Sequence, residues 1–539
     1  MKKILVSAAG ILFFGSTFAG GYLTNTNQNV AFLRNPAQLA AFDLGAAYSN
    51  PAGLAWLGNG WHFGFNWQNA AQTRSIRSTF APFAYNLDYP NQETRTFKGE
   101  ATAPIVPSFD VAYQKEKWTV SLHFGITGGG GKAMFNNGLP MFESQIAYAN
   151  VAAGQAAAGV NSLGQMLRPF EGALAGMGIA LPSAKASKGY TLETYMSGRQ
   201  YIYGVQAGLT YKIFDNLGDM KQGLSAFVGA RMNFASNAYE GYLRNTSATM
   251  PEGNQISLSQ YMNDVAKSSS DAAATATTIA QHLPAVGPGL GLNEAQIAAY
   301  VAQLNGAAKQ LGDASNALSA SATRLDRDIE LDCTQSGWGI APIIGVDYRI
   351  GEMNFGMRYE FNTAMNIENK TRVNTTGSKE FADGVNTPND IPSILAIGAQ
   401  YGINTKFRVM AGWNCYFDKN AGMSGGKEKY LDRNTHEITA GIEYDVLDRL
   451  TVSGGFQNTD YGTNDDFQSD LSFHCDSYSL GFGVRVKVNK KVDVDAAYFW
   501  TNYKDYTKES SNYNNTGLPG KDVYSRTNRV FGLGVTYRL

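Results

Sequence analysis

A strict alternation of apolar and polar side chains in the second half of the chain limits its possible folds most. Between residues 478 and 489 one face carries tyrosine, leucine, phenylalanine and valine, while the other carries serine, glycine, arginine, lysine and asparagine. Side chains of a β-strand point alternately to opposite sides, so a period of two is typical of a strand. The charged face would be costly in the dry core of a soluble sandwich. In a membrane barrel it faces a lumen, and the apolar face meets lipid.

The same pattern recurs along the chain, with clear further cases at 353–362, 407–414 and 492–500. We count about fourteen such segments, and an even number is usual in bacterial barrels. They begin near residues 61, 99, 117, 191, 223, 335, 353, 391, 405, 434, 449, 476, 491 and 526. Short turns alternate with long connections, as at the periplasmic and extracellular ends of such barrels. We therefore predict an all-β transmembrane fold, an antiparallel barrel of about 14 strands over residues 61–539.

The amino terminus has the order of a secretory signal peptide. Two lysines precede an apolar run from Ile4 to Phe14, and the small residues of Thr17-Phe18-Ala19 follow it. The run is about half of the roughly 20 residues that a membrane helix needs, so we do not interpret it as an anchor. We expect residues 1–19 to be removed and the mature chain, starting at Gly20, to reside in the cell outer membrane.

Composition argues against several other classes of protein. With 17% charged residues and a net charge of -1, nothing points to nucleic acid as a partner. Cys333, Cys415 and Cys475 allow at most one disulfide, and neither they nor the scattered histidines have a metal-ligand spacing, so we expect no metal and no cofactor. Ser121 and His123 share the inward face, but no third residue completes a triad, so we expect no enzyme. A closed barrel has no free edge, and we expect a monomer.

Residues 20–60 do not alternate and are predicted as compact structure with short helical pieces such as 37–44. A barrel of about fourteen strands has a lumen too wide for its own side chains to fill. We therefore predict that this segment forms a hatch inside the lumen. The triplet Asn50-Pro51-Ala52 stands just before the first strand, although a local turn would explain it as well.

Two long connections are predicted as extracellular helical insertions, at about 130–190 and 244–334. In the second, apolar residues recur at steps of four and three in two arms, which is typical of a packed helical seam. A proline- and glycine-rich break at 284–289 separates the arms, and Asn293 with Gln296 predicts a capping box for the second arm. We expect an antiparallel helical hairpin with arms roughly 40 to 55 Å long.

The chain resembles the FadL-type outer-membrane transporters of long-chain fatty acids and aromatic hydrocarbons. The features that carry the resemblance are the triplet at Asn50, the segment Asp390-Ile391-Pro392-Ser393 before a strand, the glycines after the third strand, and the number of strands. The resemblance implies capture of a hydrophobic small molecule or lipid by surface loops, passage to a pocket above the hatch, and lateral exit near a kinked third strand. It implies a hatch site at Asn50, Pro51 and Ala52. It also implies a lateral gate formed by Gly125, Gly128, Gly129, Gly130 and Gly131, for which a flexible loop start is the alternative.

Methionine and aromatic side chains adapt to a flexible apolar chain. We therefore predict that the first insertion binds the ligand, although each residue would serve equally well in packing the loop onto the barrel. The predicted ligand-binding residues are Met141, Phe142, Ile146, Met166, Leu167, Phe170 and Met177. A surface binding or adhesion protein, with the barrel only as an anchor for the hairpin, is the alternative function. A general porin is disfavoured by the predicted hatch.

Overall fold

The computed structural model describes residues 24–539, so the predicted signal peptide and the predicted mature start lie outside the described residues. Within this range the chain forms eighteen β-strands and six α-helices. The strands β1 to β18 are Gly60–Thr79, Thr94–Lys115, Trp118–Phe135, Gly189–Leu217, Gln222–Thr249, Gln255–Ser257, Ile329–Ile350, Met353–Glu360, Asn366–Asn374, Asn386–Pro388, Ile394–Gly402, Phe407–Tyr416, Thr435–Leu447, Leu450–Asp460, Ser477–Lys487, Val492–Tyr503, Tyr506–Ser510 and Gly520–Arg538. The helices α1 to α6 are Val30–Arg34, Ala46–Ser49, Pro140–Leu167, Glu171–Gly176, Leu258–Val286 and Glu294–Arg324.

Fourteen of the strands form one closed antiparallel barrel, which confirms the predicted fold class. β1 pairs with both β2 and β18, so the sheet closes on itself. The short strands β6, β9, β10 and β17 add to the wall at the ends of the long connections. Most predicted strand starts agree closely, but those near 99, 335 and 526 were five or six residues too late. The error arose because these strands continue past the point where their outward faces stop being apolar.

The outward faces of the strands form a lipid-facing belt. Trp61 and Phe65 on β1 are 46% and 44% exposed, and Phe531 on β18 is 43% exposed. Nearer the extracellular ends the outward positions turn polar, as at Arg77 on β1 and Arg529 on β18. A lipid-facing strand must be apolar only across the hydrocarbon layer, so the barrel wall continues above the bilayer.

The wall is uneven in height. β4 and β5 have 29 and 28 residues, whereas β11 and β12 have 9 and 10. At about 3.3 Å per residue, the longest strands extend roughly 60 Å further along their own direction than the shortest. Because the long strands β18, β1 to β5 and β7 are neighbours, one continuous side of the barrel is tall.

The insertions are helical, as predicted, but shorter, because the flanking strands leave only 136–188 and 250–328 to them. α5 and α6 form the predicted hairpin, with arms of about 45 Å, and α3 packs against both. Asn293 and Gln296 form the predicted capping box, each side chain accepting the other's backbone N–H at 2.9 Å. The predicted helix break was placed too early, because α5 continues past Pro284 to Val286. Between residues 24 and 539 no helix combines the length and apolarity needed to span a bilayer.

Candidate functional site

The segment before β1 lies inside the barrel and is held by inward-facing side chains of several strands. Leu33 and Ala52 have no exposed surface. Gln206 on β4 donates a hydrogen bond to the carbonyl of Ala47 at 2.8 Å, and Asn354 on β8 donates to the carbonyl of Ala40 at 2.9 Å. Lumen side chains of the barrel thus satisfy the irregular backbone of the segment, as a buried loop requires.

The predicted helical piece at 37–44 was wrong, because helices α1 and α2 flank that stretch instead. Asn35 is extended, with φ -155° and ψ 105°, as expected for a residue before proline. Its side-chain oxygen accepts the N–H of Ala37 at 3.0 Å, which forms a local turn. Pro36 and this turn end α1 where the sequence pattern alone favoured a new helix.

The predicted hatch residues contact the wall on the side of β4, β5 and β7. The Asn50 amide donates hydrogen bonds to the carbonyls of Val346 at 3.1 Å and Leu39 at 3.3 Å. The carbonyl of Pro51 accepts from the Thr210 hydroxyl at 2.7 Å. The hydroxyl of Ser225 donates to the carbonyl of Ala52 at the same distance, 2.7 Å. The triplet therefore attaches the segment to three strands.

Ion pairs fix the opposite side of the segment. The Arg34 guanidinium, 1% exposed, lies 3.0 Å from Glu443 on β13 and 3.1 Å from Asp495 on β16. Asp43 pairs with Arg485 of β15 at 2.9 Å. Polar contacts therefore surround the segment on all sides of the lumen.

The wall has a gap between β2 and β3. The two strands pair from Lys115↔Trp118 to Phe109↔Phe124 and again from Thr102↔Lys132, but the pairing is interrupted in between. Trp67, at the upper end of the belt on β1, is the register partner of Pro107 in the interrupted part of β2. The gap therefore lies at the upper edge of the lipid-facing belt.

Local sequence explains the gap. Pro104 and Pro107 on β2 have no N–H to donate to a ladder, so that edge is weakened. On β3 two bulges interrupt the pairing with β4, and Gly129 and Gly131 adopt φ of +89° and +93°, which is accessible mainly to glycine. The proline contribution was missed from the sequence, although both prolines fall inside a predicted strand.

The predicted gate glycines lie within β3 and not after it, since β3 extends to Phe135. Gly125, Gly128, Gly129, Gly130 and Gly131 all fall in the stretch that is not paired with β2. Here the amino-terminal segment takes the place of β2. The Asn25 N–H donates to the carbonyl of Thr127 at 2.8 Å, and the Gln28 amide donates to that of Ile126 at 2.8 Å. A side chain on Gly125 would collide with Gln28, so this glycine permits the close approach.

A cavity of about 250 Å³ lies in the lumen above the segment. Asn25, Gly129 and Gly131 line both this cavity and a smaller void of about 50 Å³ beside the gap. The loop 461–476 covers part of the cavity with residues such as Asp470 and His474. The cavity is therefore bordered by the gap on one side and by a surface loop on another.

An apolar cleft of about 40 Å³ continues from the cavity toward the extracellular loops. Both spaces are lined by Met196, Phe381 and Leu471. Phe142 of α3 lines the cleft but not the cavity. The buried free thiols Cys333 and Cys475 belong to the apolar cluster behind this wall. The cleft gives an apolar molecule a continuous surface from the loops to the lumen.

The structure does not bring the seven predicted ligand-binding residues together. Met141 and Phe142 lie at the start of α3, near the cleft, while the group from Met166 onward lies at its far end, roughly 40 Å away. Ile146 and Leu167 are buried between helices, and Met166 and Phe170 pack against the same bundle. Only Met177, 48% exposed, is open to solvent. Most of these residues therefore pack the three-helix bundle together, which is the alternative role that the sequence allowed for them, and their part in ligand binding stays a prediction.

Polar contacts hold the loop 461–476 alongside its buried apolar side chains, such as Phe467 and Phe473. Asp470 accepts the N–H of Met141 at 2.8 Å and the Tyr524 hydroxyl at 3.1 Å. Burial, followed by the charge of Asp522, raises the pKa of the Asp470 carboxyl. Lys508 donates to the carbonyl of Gln468 at 2.8 Å. The attachment of this loop therefore depends on a carboxyl that binds its proton more tightly than usual.

The structure encloses His123, the histidine of the Ser121–His123 pair, between the barrel wall and the hatch. His123 is fully buried, its Nδ1 lies 2.7 Å from Asp110, and its ring packs against Tyr48 of the hatch with centroids 5.0 Å apart. Its contacts connect the hatch to β2 and β3.

Comparison with known proteins gives a match at the level of structure. The solved structure of a Pseudomonas aeruginosa FadL homologue aligns over 96% of this chain and 99% of its own, with 13% identity and a TM-score of 0.54. The chain has the fold of that FadL homologue. The toluene transporter TodX of P. putida aligns less well, over 92% and 94% of the two chains, with 11% identity and a TM-score of 0.47. No protein-family model and no curated protein matches the sequence. The FadL-like fold includes most of the chain.

Proposed function

We propose that the protein carries hydrophobic or amphiphilic molecules, such as long-chain fatty acids, across the outer membrane. The ligand enters along the apolar cleft beside Phe142, occupies the lumenal cavity, and leaves sideways through the gap between β2 and β3. Asn50, Pro51 and Ala52 hold the hatch in place beneath the cavity. Gly125 and the glycines from 128 to 131 form the gate. The shared fold with a FadL homologue supports this proposal.

The interrupted pairing of β2 and β3 is the observation that carries the proposal. In a closed antiparallel barrel nearly every backbone group of the wall has a partner in a neighbouring strand. A gap that adjoins a cavity and lies at the edge of the lipid belt needs a reason, and passage of a lipid-soluble molecule supplies one. A porin for polar solutes would instead need an open axial channel, which the bound segment of residues 24–57 obstructs.

The experiment restores the backbone N–H donors that β2 lacks at Pro104 and Pro107. Pro104→Val with Pro107→Thr returns two N–H groups to β2, and we expect the gap to narrow and uptake of a labelled fatty acid by whole cells to fall. The matched control is Pro342→Val, because Pro342 lies in β7 where the pairing with β5 is continuous. Normal uptake by the β2 variant, with the barrel folded and at normal abundance, would contradict lateral exit.

A second candidate, surface binding or adhesion, is favoured by one feature, the three-helix bundle of α3, α5 and α6 on the extracellular side. Its seam residues face one another, so the bundle is a stable projecting structure. The two candidates differ in what the bundle does for uptake. In the transport proposal it supports Phe142 at the cleft, and in the other it contacts a partner directly.

A further inference from the structure

We propose that the outer end of the three-helix bundle docks on a lipid surface outside the cell, such as that of a vesicle. We call this end the tip and define it by Met177, which caps α4, and by residues 284–292, where α5 ends and the chain turns toward α6. The inference goes beyond the proposed transport function, because it gives the bundle a partner of its own and involves no passage through the barrel.

The tip lies far from the barrel wall. α5 and α6 have 29 and 31 residues. At 1.5 Å per residue the turn between them is therefore about 45 Å from their bases. Every residue of the apolar cluster in the outer half of the bundle belongs to the helices or their connections. Phe170 packs edge-on against Tyr300, with ring centroids 5.5 Å apart, and this contact holds α4 beside the outer end of the hairpin.

The tip exposes large apolar side chains to solvent. Met177 is 48% exposed, Val286 44% and Leu290 43%. Near the base of the bundle the large apolar side chains are turned inward instead, and Leu258 and Met262 of α5 have no exposed surface. Apolar side chains that are exposed together mark a site of contact with a partner or a lipid surface.

Charged residues are almost absent from the outer half of the bundle. Residues 172–184 contain no charged residue and residues 272–308 contain only Glu294, whereas 17% of the whole chain is charged. Closer to the barrel the same hairpin carries exposed charges, such as the pair Lys267 and Asp271. A charged side chain is costly in the apolar layer of a membrane. The distribution of charge therefore matches a bundle that enters lipid with its outer end only.

The size of the tip favours a lipid surface over a folded protein as the partner. A stable protein interface buries about 800 Å² and about 20–30 residues on each side. The tip offers three large side chains, each less than half exposed, at the end of a projecting hairpin. Lipid chains rearrange around such a small projection, and apolar side chains bind reversibly by insertion at the boundary between headgroups and acyl chains.

The lipid surface need not be anionic. Attraction to anionic headgroups requires clustered Lys or Arg side chains. Residues 172–184 and 272–308 contain neither residue type. The binding energy must therefore come from the apolar side chains, and binding should depend little on lipid charge or on salt.

The test uses the purified full-length protein in lipid nanodiscs and measures how much of it floats with neutral phosphatidylcholine vesicles as the lipid concentration rises. The variant is Met177→Ser with Val286→Ser and Leu290→Ser. We expect half-maximal binding of this variant to require at least about tenfold more lipid than wild type. The control is Tyr85→Ser, which removes an aromatic side chain that is 49% exposed at the base of the bundle and should leave binding unchanged. Empty nanodiscs give the background.

Val286→Trp with Leu290→Trp is the second variant, because tryptophan favours the boundary between lipid and water. It should bind more tightly than wild type, and it tests the tip even if the serine variant fails to fold. Wild type should bind neutral and anionic vesicles equally, at about 0.05 M and about 0.5 M salt alike.

Equal binding by wild type, the serine variant and the tryptophan variant would overturn the inference. Binding that is confined to anionic vesicles and is lost in salt would also overturn it. Association of wild-type nanodiscs with one another in the absence of vesicles would identify a second copy as the partner and overturn the lipid surface. Uptake of a labelled fatty acid supplied as dissolved monomer should be normal in the serine variant, so a failed docking test would leave the transport proposal standing.

Discussion

Arg34 is the residue whose removal most directly tests how the hatch is held. Its guanidinium is 1% exposed and joins α1 to Glu443 on β13 and Asp495 on β16 at 3.0 and 3.1 Å. Arg34→Met keeps the apolar stem but leaves two buried carboxylates without this partner. Breaking a buried ion pair from one side costs about 3–5 kcal/mol.

The lower end of that range applies here, because both carboxylates keep another cation. Glu443 retains Arg408 at 3.3 Å, and Asp495 retains Arg485 at 2.9 Å. We therefore expect a loss of about 3 kcal/mol, which raises the fraction of barrels with a displaced hatch roughly a hundredfold. Displacement exposes an aqueous lumen, so the assay is ion conductance of the purified protein in a planar bilayer.

The control is Arg433→Met, because Arg433 pairs with Asp460 and the two side chains are 53% and 42% exposed. Such an exposed pair contributes about 1 kcal/mol or less, and we expect no new conductance. If Arg34→Met conducts no more often than wild type or Arg433→Met, the ion pairs do not hold the hatch, and the reasoning is refuted.

Three further perturbations test the gap, the loop and the bundle. Gly129→Ala should cost about 1–2 kcal/mol of stability and reduce fatty acid uptake, since φ is +89° and the new methyl group would meet the Gln200 carbonyl. The control Gly154→Ala, in open space on α3, should lower neither stability nor uptake, because alanine is favoured over glycine in a helix. The pKa of Asp470 is raised in the folded state, so docking of the loop 461–476 should weaken as the pH rises above the ordinary range of carboxyl groups. The assay compares the amide hydrogen-exchange protection of the loop at about pH 5 and about pH 8, and Asp470→Asn should abolish the difference. Replacing 258–324 by a short linker should lower uptake because α5 supports α3; unchanged uptake with lost surface binding would favour adhesion.

The barrel and the hairpin were accessible from sequence because both depend on local repeats. Alternation in 353–362 or 478–489 reflects backbone geometry, which every strand shares. The capping box at Asn293 likewise involves residues three apart. Strand ends were less well predicted, since above the bilayer the outward face needs no apolar residues and the pattern disappears while the strand continues.

The site itself was largely hidden because its contacts join distant parts of the chain. Arg34 reaches Glu443 and Asp495, and nothing in the sequence specifies those pairings. Pro104 and Pro107 were the clue that sequence reasoning passed over, because two prolines within a strand already mark a weakened edge.

The oblique rim of the barrel has a consequence for the direction of approach. The tall part of the wall, formed by β18, β1 to β5 and β7, extends into the saccharide layer outside the bilayer, whereas β11 and β12 end much lower. A solute drifting along the cell surface meets a barrier on one side and a low step on the other. Ligands therefore reach the barrel opening mainly from the side where the strands are short. Neighbouring proteins in a crowded membrane would hinder ligand entry most on that side.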